Sequence, residues 1–458
     1  MPATEFASID PATGETTRVW PAHARAEVDA RLAAAQDGFL GWREVPVAER
    51  AAALGRIADA MEVRTEDLAL LATTEMGKPI RESRAEVAKC VGILRHYAAH
   101  APAGLAPVDV ATEAAHSFVR FDPLGVVLAI MPWNFPYSQV VRAGATAIAA
   151  GNAVVLKHAP TTLGTGEAFA EVCAAAGLPD GVFTTLRVDT DVAAEVIADD
   201  RVRGVAFTGS TRGGRAVAAL AAGAGKPTLL ELGGSDPFVV LEDADVARAA
   251  AAAVTGRFVN AGQSCIAAKR FVVHRAVADA FTAAVQDGLA DVVVGDPRDE
   301  ATTMGPMARA DLRDELADQV ARSVAAGAEP VLTGGVRSGP GFFFAPALLR
   351  GVTRDHAVGR EETFGPAASI LVADDDDHAV ALANDTRYGL GASVWTGDRT
   401  RGEAIAARLE AGTIGVNAAE RSDPRLPFGG VKDSGYGREL GVEGLRAFVN
   451  VKAVWAED

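Results

Sequence analysis

Cysteine is scarce in this sequence: Cys90, Cys173 and Cys265 are the only three in 458 residues, and no two form a C-x-x-C pair. That dispersal speaks against both a disulfide framework and a cysteine-based zinc site, so no metal is expected. Positive charge is in deficit as well. The net charge of −16 at pH 7 disfavours nonspecific attraction to nucleic acid or anionic lipid, while leaving room for a local basic pocket. Long apolar runs are missing; the stretches at 126–131 and 247–254 fall well short of the roughly 20 residues a membrane span needs. The opening MPATEFASIDPATGE has neither the basic region nor the apolar stretch of a secretion signal. A cytoplasmic protein, with no membrane and no nucleic acid as partner, is the expectation.

What is present describes a folded chain. Hydrophobic residues make up 49% and charged residues 23%, a balance that excludes a largely disordered protein. At about 150 residues per domain, the length suits two to three domains. The first hundred residues read as helices, with apolar spacings of three and four at 26–40, 47–64 and 81–101. A polar, alternating stretch at 106–121 suits a strand or hairpin outside the main core. The rhythm then changes. GVVLAIM at 125–131 and AVVL at 153–156 are short, wholly apolar runs typical of strands buried on both faces. Helical patterns at 140–150 and 164–176 separate them from a further strand pattern at 205–207. Such alternation signals an α/β, doubly wound parallel sheet. A second α/β set begins near Gly233, with strand candidates at 237–241, 270–274, 368–372, 392–395 and 413–416. The terminal strand pattern at 446–455 requires a partner, such as a strand of another subunit.

Four segments place polar groups beside turn residues directly after strand patterns, where catalytic groups collect. In Met131-Pro132-Trp133-Asn134-Phe135-Pro136, two prolines fix a turn from which the Asn134 amide could face a developing oxyanion, or simply satisfy turn backbone. Thr208-Gly209-Ser210-Thr211 opens a helix whose N–H groups suit a phosphate, although it is not the G-x-G-x-x-G fingerprint and an ordinary strand–helix turn reads equally well. In Leu230-Glu231-Leu232-Gly233-Gly234, a carboxylate at an apolar strand end is either a base with a raised pKa or a surface residue before a loop. Asn260-Ala261-Gly262-Gln263-Ser264-Cys265 offers a thiol beside exposed N–H groups, a nucleophile unless the cysteine is simply structural.

Taken together, these segments resemble the aldehyde dehydrogenase superfamily over nearly the whole chain. The supporting motifs are PWNFP at 132–136, GNAVVLK at 151–157, GLPDGVF at 177–183, FTGST at 207–211, LELGG at 230–234, GQSC at 262–265, EETFGP at 361–366 and PFGGVKDSGYGREL at 427–440. The resemblance implies an aldehyde dehydrogenase-like fold: a Rossmann-type cofactor domain from 1–105 and 127–231, an α/β catalytic domain at 232–425, and a small oligomerisation sheet from 106–126 and 440–458. Cys265 stands where the family has its nucleophile, Asn134 where it has an oxyanion donor, and Glu231 where it has the base for hydrolytic water. Trp133, Lys157, Gly209, Ser210, Glu362 and Phe364 stand at cofactor positions. Members that select NAD often carry a glutamate three residues after the lysine; Pro160 stands there, so NADP or NAD is implied, with NADP favoured. GQSCIAAKR, KHA and SGYGREL are most similar to the succinate-semialdehyde dehydrogenase branch. For an acid-bearing aldehyde, Arg142, Ser422 and Arg425 are the implied carboxylate-binding residues. Two departures stand against that branch: Val259 where some members carry a second arginine, and Ala267 where some carry another cysteine. An enzyme for another small aliphatic or aromatic aldehyde, and a catalytically silent relative, are the competing readings. A homodimer or homotetramer is expected.

Overall fold

A computed structural model of the protein describes residues 4–458. Its centre is a six-stranded sheet ordered Gly435–Tyr436, Thr228–Glu231, Val202–Thr208, Val126–Met131, Ala153–His158, Phe183–Thr185. All neighbours are parallel except Gly435–Tyr436, which runs antiparallel to Thr228–Glu231. From Val126–Met131 the chain winds outward through two strands, then crosses back to add Val202–Thr208 on the other side. The order therefore reverses at Val126–Met131, and in open α/β sheets the crevice beyond such a switch point is where ligands bind.

A second sheet has seven strands, ordered Glu329–Leu332, Ala347–Arg350, Ala367–Ala373, Ala268–His274, Asp236–Val240, Gly391–Trp395, Thr413–Val416. It contains all five strands expected after Gly233 and adds two at one edge. Here too the direction reverses, around Asp236–Val240. The terminal strand Val449–Ala456 pairs with His116–Pro123, which pairs with Val108–Asp109, in a three-stranded antiparallel sheet. Val449–Ala456 is its open edge, with Val451 and Trp455 well exposed.

Within the first hundred residues, two elements depart from the sequence reading. Residues expected to precede the helices form a hairpin, Glu5–Ile9 with Thr16–Pro21, closed by a turn in which Asp10 Oδ1 accepts from the Ala12 N–H and Gly14 has φ +79°. Glu5–Ile9 is largely half-buried and Thr16–Pro21 mostly exposed, so no clear apolar alternation betrays them. A separate helix, Thr65–Met76, follows Val47–Val63 after a single non-helical residue, Arg64, and ends on left-handed Gly77. The helices Arg25–Trp42 and Ile80–Gly104 agree closely with expectation. Among the described residues, no helix is long and apolar enough to cross a membrane.

Candidate functional site

The cavity at the switch point has a volume of about 740 Å³. Its walls come from three strand ends and two loops. Trp133 and Asn134 follow Val126–Met131, Gly209 and Ser210 follow Val202–Thr208, and Gly233 follows Thr228–Glu231; Cys265 and Glu362 arrive from the second sheet's side.

The thiol sits on a distorted segment. After the helix Val246–Phe258, three consecutive residues, Asn260, Ala261 and Gly262, have φ of +55°, +51° and +72°. Left-handed backbone at two non-glycine residues persists only where the surroundings impose it. Here they do. The buried Arg257 guanidinium donates to the carbonyls of Gly262 (3.1 Å), Thr363 (2.9 Å) and Ala367 (2.7 Å), tying this segment to the Glu362 loop. Buried Lys269 donates to the Ser264 and Cys265 carbonyls at 2.9 and 2.8 Å, and its Nζ lies 3.9 Å from Glu362. The Asn134 amide donates to the Gln263 carbonyl at 3.1 Å, while Asn260 donates to the Asn134 carbonyl at 2.8 Å. One Asn134 N–H is thus spent on orientation, and an amide has a second. Cys265 is half-buried; burial pushes its thiol up to about 12, against the opposing pull of Arg142 and Lys269.

Glu231 is buried at its strand end, and neither carboxylate oxygen has a hydrogen-bond partner among the described residues. Burial, reinforced by the nearby Glu439, holds its carboxyl well above the usual range, with Arg142 opposing. The double glycine after it has a spatial purpose. A Cβ at Gly233 would lie 2.3 Å from Glu362 Oε2, and one at Gly234 would lie 2.6 Å from the Cys265 carbonyl oxygen. Without side chains there, the Gly234 N–H donates to Glu362 Oε1 at 2.9 Å and the thiol segment closes against the strand end.

Several features of the cavity fit a dinucleotide. Ser210 caps the helix Thr211–Gly223, its Oγ accepting from the Gly213 N–H, so free N–H groups and a positive helix end face the cavity. Arg212, Arg309, Arg360 and Arg387 line it together with Glu315, Glu361 and Glu362, and Arg309, Arg360 and Arg387 have carboxylate partners in Asp311, Glu361 and Asp433. Trp133 and Phe364 meet edge to face at 5.7 Å between ring centres, forming an apolar wall. Lys157 stands apart from this wall. It is buried at the end of Ala153–His158, where burial lowers its pKa and the Asp189 carboxylate opposes the shift.

The three residues expected to bind a substrate carboxylate are not brought together in the cavity wall. Arg142, on the fully buried helix Ser138–Ala150, is ion-paired with buried Glu439 (Nε to Oε2, 2.6 Å) and stacks 4.2 Å above the Phe428 ring. Arg425 is exposed and pairs with Asp423 two residues away, at 2.8 Å. Ser422 is buried and accepts from Lys89 Nζ at 2.6 Å. Sequence reasoning passed over Lys89, Lys269 and Arg257. The last two carry a readable signal, since each is a basic residue within an apolar pattern.

Comparison with known proteins bears on this arrangement. The aldehyde dehydrogenase family model matches residues 1–454. The chain belongs to the aldehyde dehydrogenase family. Among relatives of this dehydrogenase, the succinate semialdehyde dehydrogenase [NAD(P)+] of Escherichia coli is 46% identical over 456 residues, covering all of this chain and 99% of that protein. A probable succinate-semialdehyde dehydrogenase [NADP(+)] of Synechocystis is 45% identical, covering 98% of this chain and 99% of its own. The solved succinic semialdehyde dehydrogenase of Streptococcus pyogenes, in complex with NADP+, superposes with a TM-score of 0.96 at 35% identity, covering 99% of this chain and all of that one. An NAD-dependent aldehyde dehydrogenase of Sinorhizobium meliloti also superposes at 0.96, with 37% identity over 99% of this chain and 91% of that one. The aldehyde dehydrogenase fold and its two parallel sheets are thereby established.

A substitution at Gly233 tests how closely this dehydrogenase's Glu362 is seated. Gly233→Ala would place a methyl group against the carboxylate and displace it. A misplacement near 1 Å at an orienting group costs on the order of 10- to 100-fold. The expected outcome is a rise of about 10-fold or more in the dinucleotide KM, with the thermal midpoint little changed. An unaltered KM would remove Glu362 from cofactor binding.

Proposed function

We propose that this protein oxidises succinic semialdehyde to succinate, with NADP or NAD as hydride acceptor and a thioester on Cys265 as intermediate. The observation that carries the chemistry is the single cavity joining the Cys265 thiol to a helix N-terminus, the Trp133–Phe364 wall and Glu362. Support for the substrate comes from full-length identity to succinate-semialdehyde dehydrogenases of several bacteria.

In this reading the Cys265 sulfur, losing its proton, adds to the aldehyde carbon to give a thiohemiacetal. The Asn134 amide and the Cys265 backbone N–H donate to the oxygen that becomes negative. The nicotinamide cofactor, when bound, would supply the hydride acceptor, and loss of hydride from this carbon would leave a thioester on Cys265. Glu231, once ionised, takes a proton from water as that water attacks the thioester carbonyl, and succinate leaves as the thiol is restored. Aldehyde, oxidised cofactor and water balance carboxylate, reduced cofactor and two protons. Trp133, Gly209, Ser210, Glu362 and Phe364 hold the cofactor from the cavity wall, and Lys157 holds it from the neighbouring strand end. NADP is the better acceptor here, because Pro160 places no carboxylate beside Lys157 to repel a 2′-phosphate.

The six-stranded unit serves as cofactor domain and the seven-stranded unit as catalytic domain. The open strand Val449–Ala456, which exposes Val451 and Trp455, is the seam of a homodimer or homotetramer in the cytoplasm. A second reading, oxidation of an uncharged aldehyde, is favoured by one observation: Arg142 and Arg425 are both neutralised by carboxylates of this chain. Steady-state nicotinamide reduction decides between them. The proposal expects kcat/KM for succinic semialdehyde to exceed that for butanal by about 10²-fold, as charge-assisted binding of a carboxylate allows. Equal or reversed values would favour the second reading.

A further inference from the structure

We propose that Lys89, with Ser422, is the anchor for the substrate's carboxylate. The inference deepens the reading above and rests on the substrate being an aldehyde that carries a distal carboxylate. If both arginines expected at this subsite are occupied, another cation must serve.

Lys89 lies on the helix Ile80–Gly104, and its ammonium donates to the Ser422 hydroxyl at 2.6 Å, across 333 positions of sequence. That contact uses one of three N–H donors and brings no countercharge. Lys78, Lys269, Lys432 and Lys452 all have a carboxylate within ion-pairing distance; Lys89, like Lys157 and Lys226, has none among the described residues, and of these three it alone donates to a side chain from another part of the chain. The residue remains exposed to solvent, yet its charge is poorly solvated: burial lowers its pKa, and the charge of Arg142 lowers it further. An anion binding beside the ammonium would offset both effects.

Charge and chain path link Lys89 and Ser422 to the reacting centre. Arg142 acts electrostatically on Lys89 and on the Cys265 thiol alike. The loop that bears Ser422 passes Ile266, the residue after the nucleophile, where Ala419 and Glu420 share a small cavity with it. Two carboxyls act on Lys89 from nearby, Glu86 and Glu420; Glu86 is already ion-paired with Lys78. Burial and the neighbouring Asp236 raise the pKa of Glu420 to about 8, against Arg142 and Lys89, so at pH 7 it is largely protonated and uncharged.

The test compares kcat/KM for succinic semialdehyde with that for butanal in wild type, Lys89→Met, Lys89→Arg and Ser422→Ala. The expected result is a fall of about 10²-fold in the ratio for Lys89→Met, carried mainly by KM, since a lost charge-assisted contact is worth about that much. Lys89→Arg should recover most of the ratio, and Ser422→Ala should show a smaller fall. An unaltered ratio in Lys89→Met, or an equal loss on both aldehydes, overturns the anchor while the parent reading stands. A wild type with no preference for succinic semialdehyde overturns the parent reading, and the anchor with it.

Discussion

Replacing Cys265 by alanine should lower aldehyde oxidation by at least about 10³-fold while leaving dinucleotide binding intact, because the covalent step has no other sulfur to use. Cys90 and Cys173 are buried away from the cavity, and burial drives both thiols' pKa values up. Equilibrium binding of the dinucleotide, followed by fluorescence, checks that the pocket survives. The native thiol also carries a pH signature. With its pKa pushed up to about 12 by burial, the thiolate is a trace species at neutral pH and grows about tenfold with each pH unit. Alkylation of the free protein by iodoacetamide at Cys265 should therefore accelerate about tenfold per unit between pH 7 and 9. Residual turnover in Cys265→Ala within tenfold of wild type would remove the thiol from the mechanism.

The second large effect concerns the acyl acceptor. Glu231→Gln should cut kcat by about 10²–10⁴-fold, the usual range for loss of a general base, without abolishing the first hydride transfer. Rapid mixing should show a burst of reduced nicotinamide approaching one per site, followed by a slow steady state. Burial and Glu439 hold the wild-type carboxyl above its ordinary range, so it is mainly protonated at low pH and becomes a base only as pH rises. Deacylation in wild type should accordingly increase with pH through the raised pKa, and the Gln variant should lose that dependence. A burst reduced as severely as the steady state would assign Glu231 to the first half-reaction instead.

Much of the two mainly parallel sheets was legible because strands such as Val126–Met131 and Ala153–His158 are short apolar runs, and the five strands expected after Gly233 all belong to one sheet, whereas Phe183–Thr185, Gly435–Tyr436, Glu329–Leu332 and Ala347–Arg350 carry too few apolar residues or are too short to show. The sequence did not carry the hairpin Glu5–Ile9 and Thr16–Pro21, whose strands lack a clear apolar alternation, or the helix Thr65–Met76, set off only by the backbone of Arg64. At the site, glycine-bracketed polar residues at strand ends made Cys265, Glu231, Asn134 and Ser210 stand out. Pairing was invisible. Nothing along the chain announces that Arg142 meets Glu439, 297 positions away, or that Lys89 meets Ser422, because both contacts arise only when the segment after residue 417 folds back over the helices. Lys89 in particular reads as one more charge on an amphipathic helix, and its neighbourhood sets it apart only in three dimensions. Pro160, by contrast, was legible through what it lacks: a carboxylate beside Lys157.

The central claim is that Cys265 carries the acyl group of the substrate, and trapping it is the most direct test. Glu231→Gln would be mixed with succinic semialdehyde and excess NADP, quenched in acid within the burst, digested and examined by mass spectrometry. The account predicts a succinyl thioester on the peptide containing Cys265, absent when cofactor is omitted. A burst of reduced nicotinamide with an unmodified Cys265 peptide would contradict it.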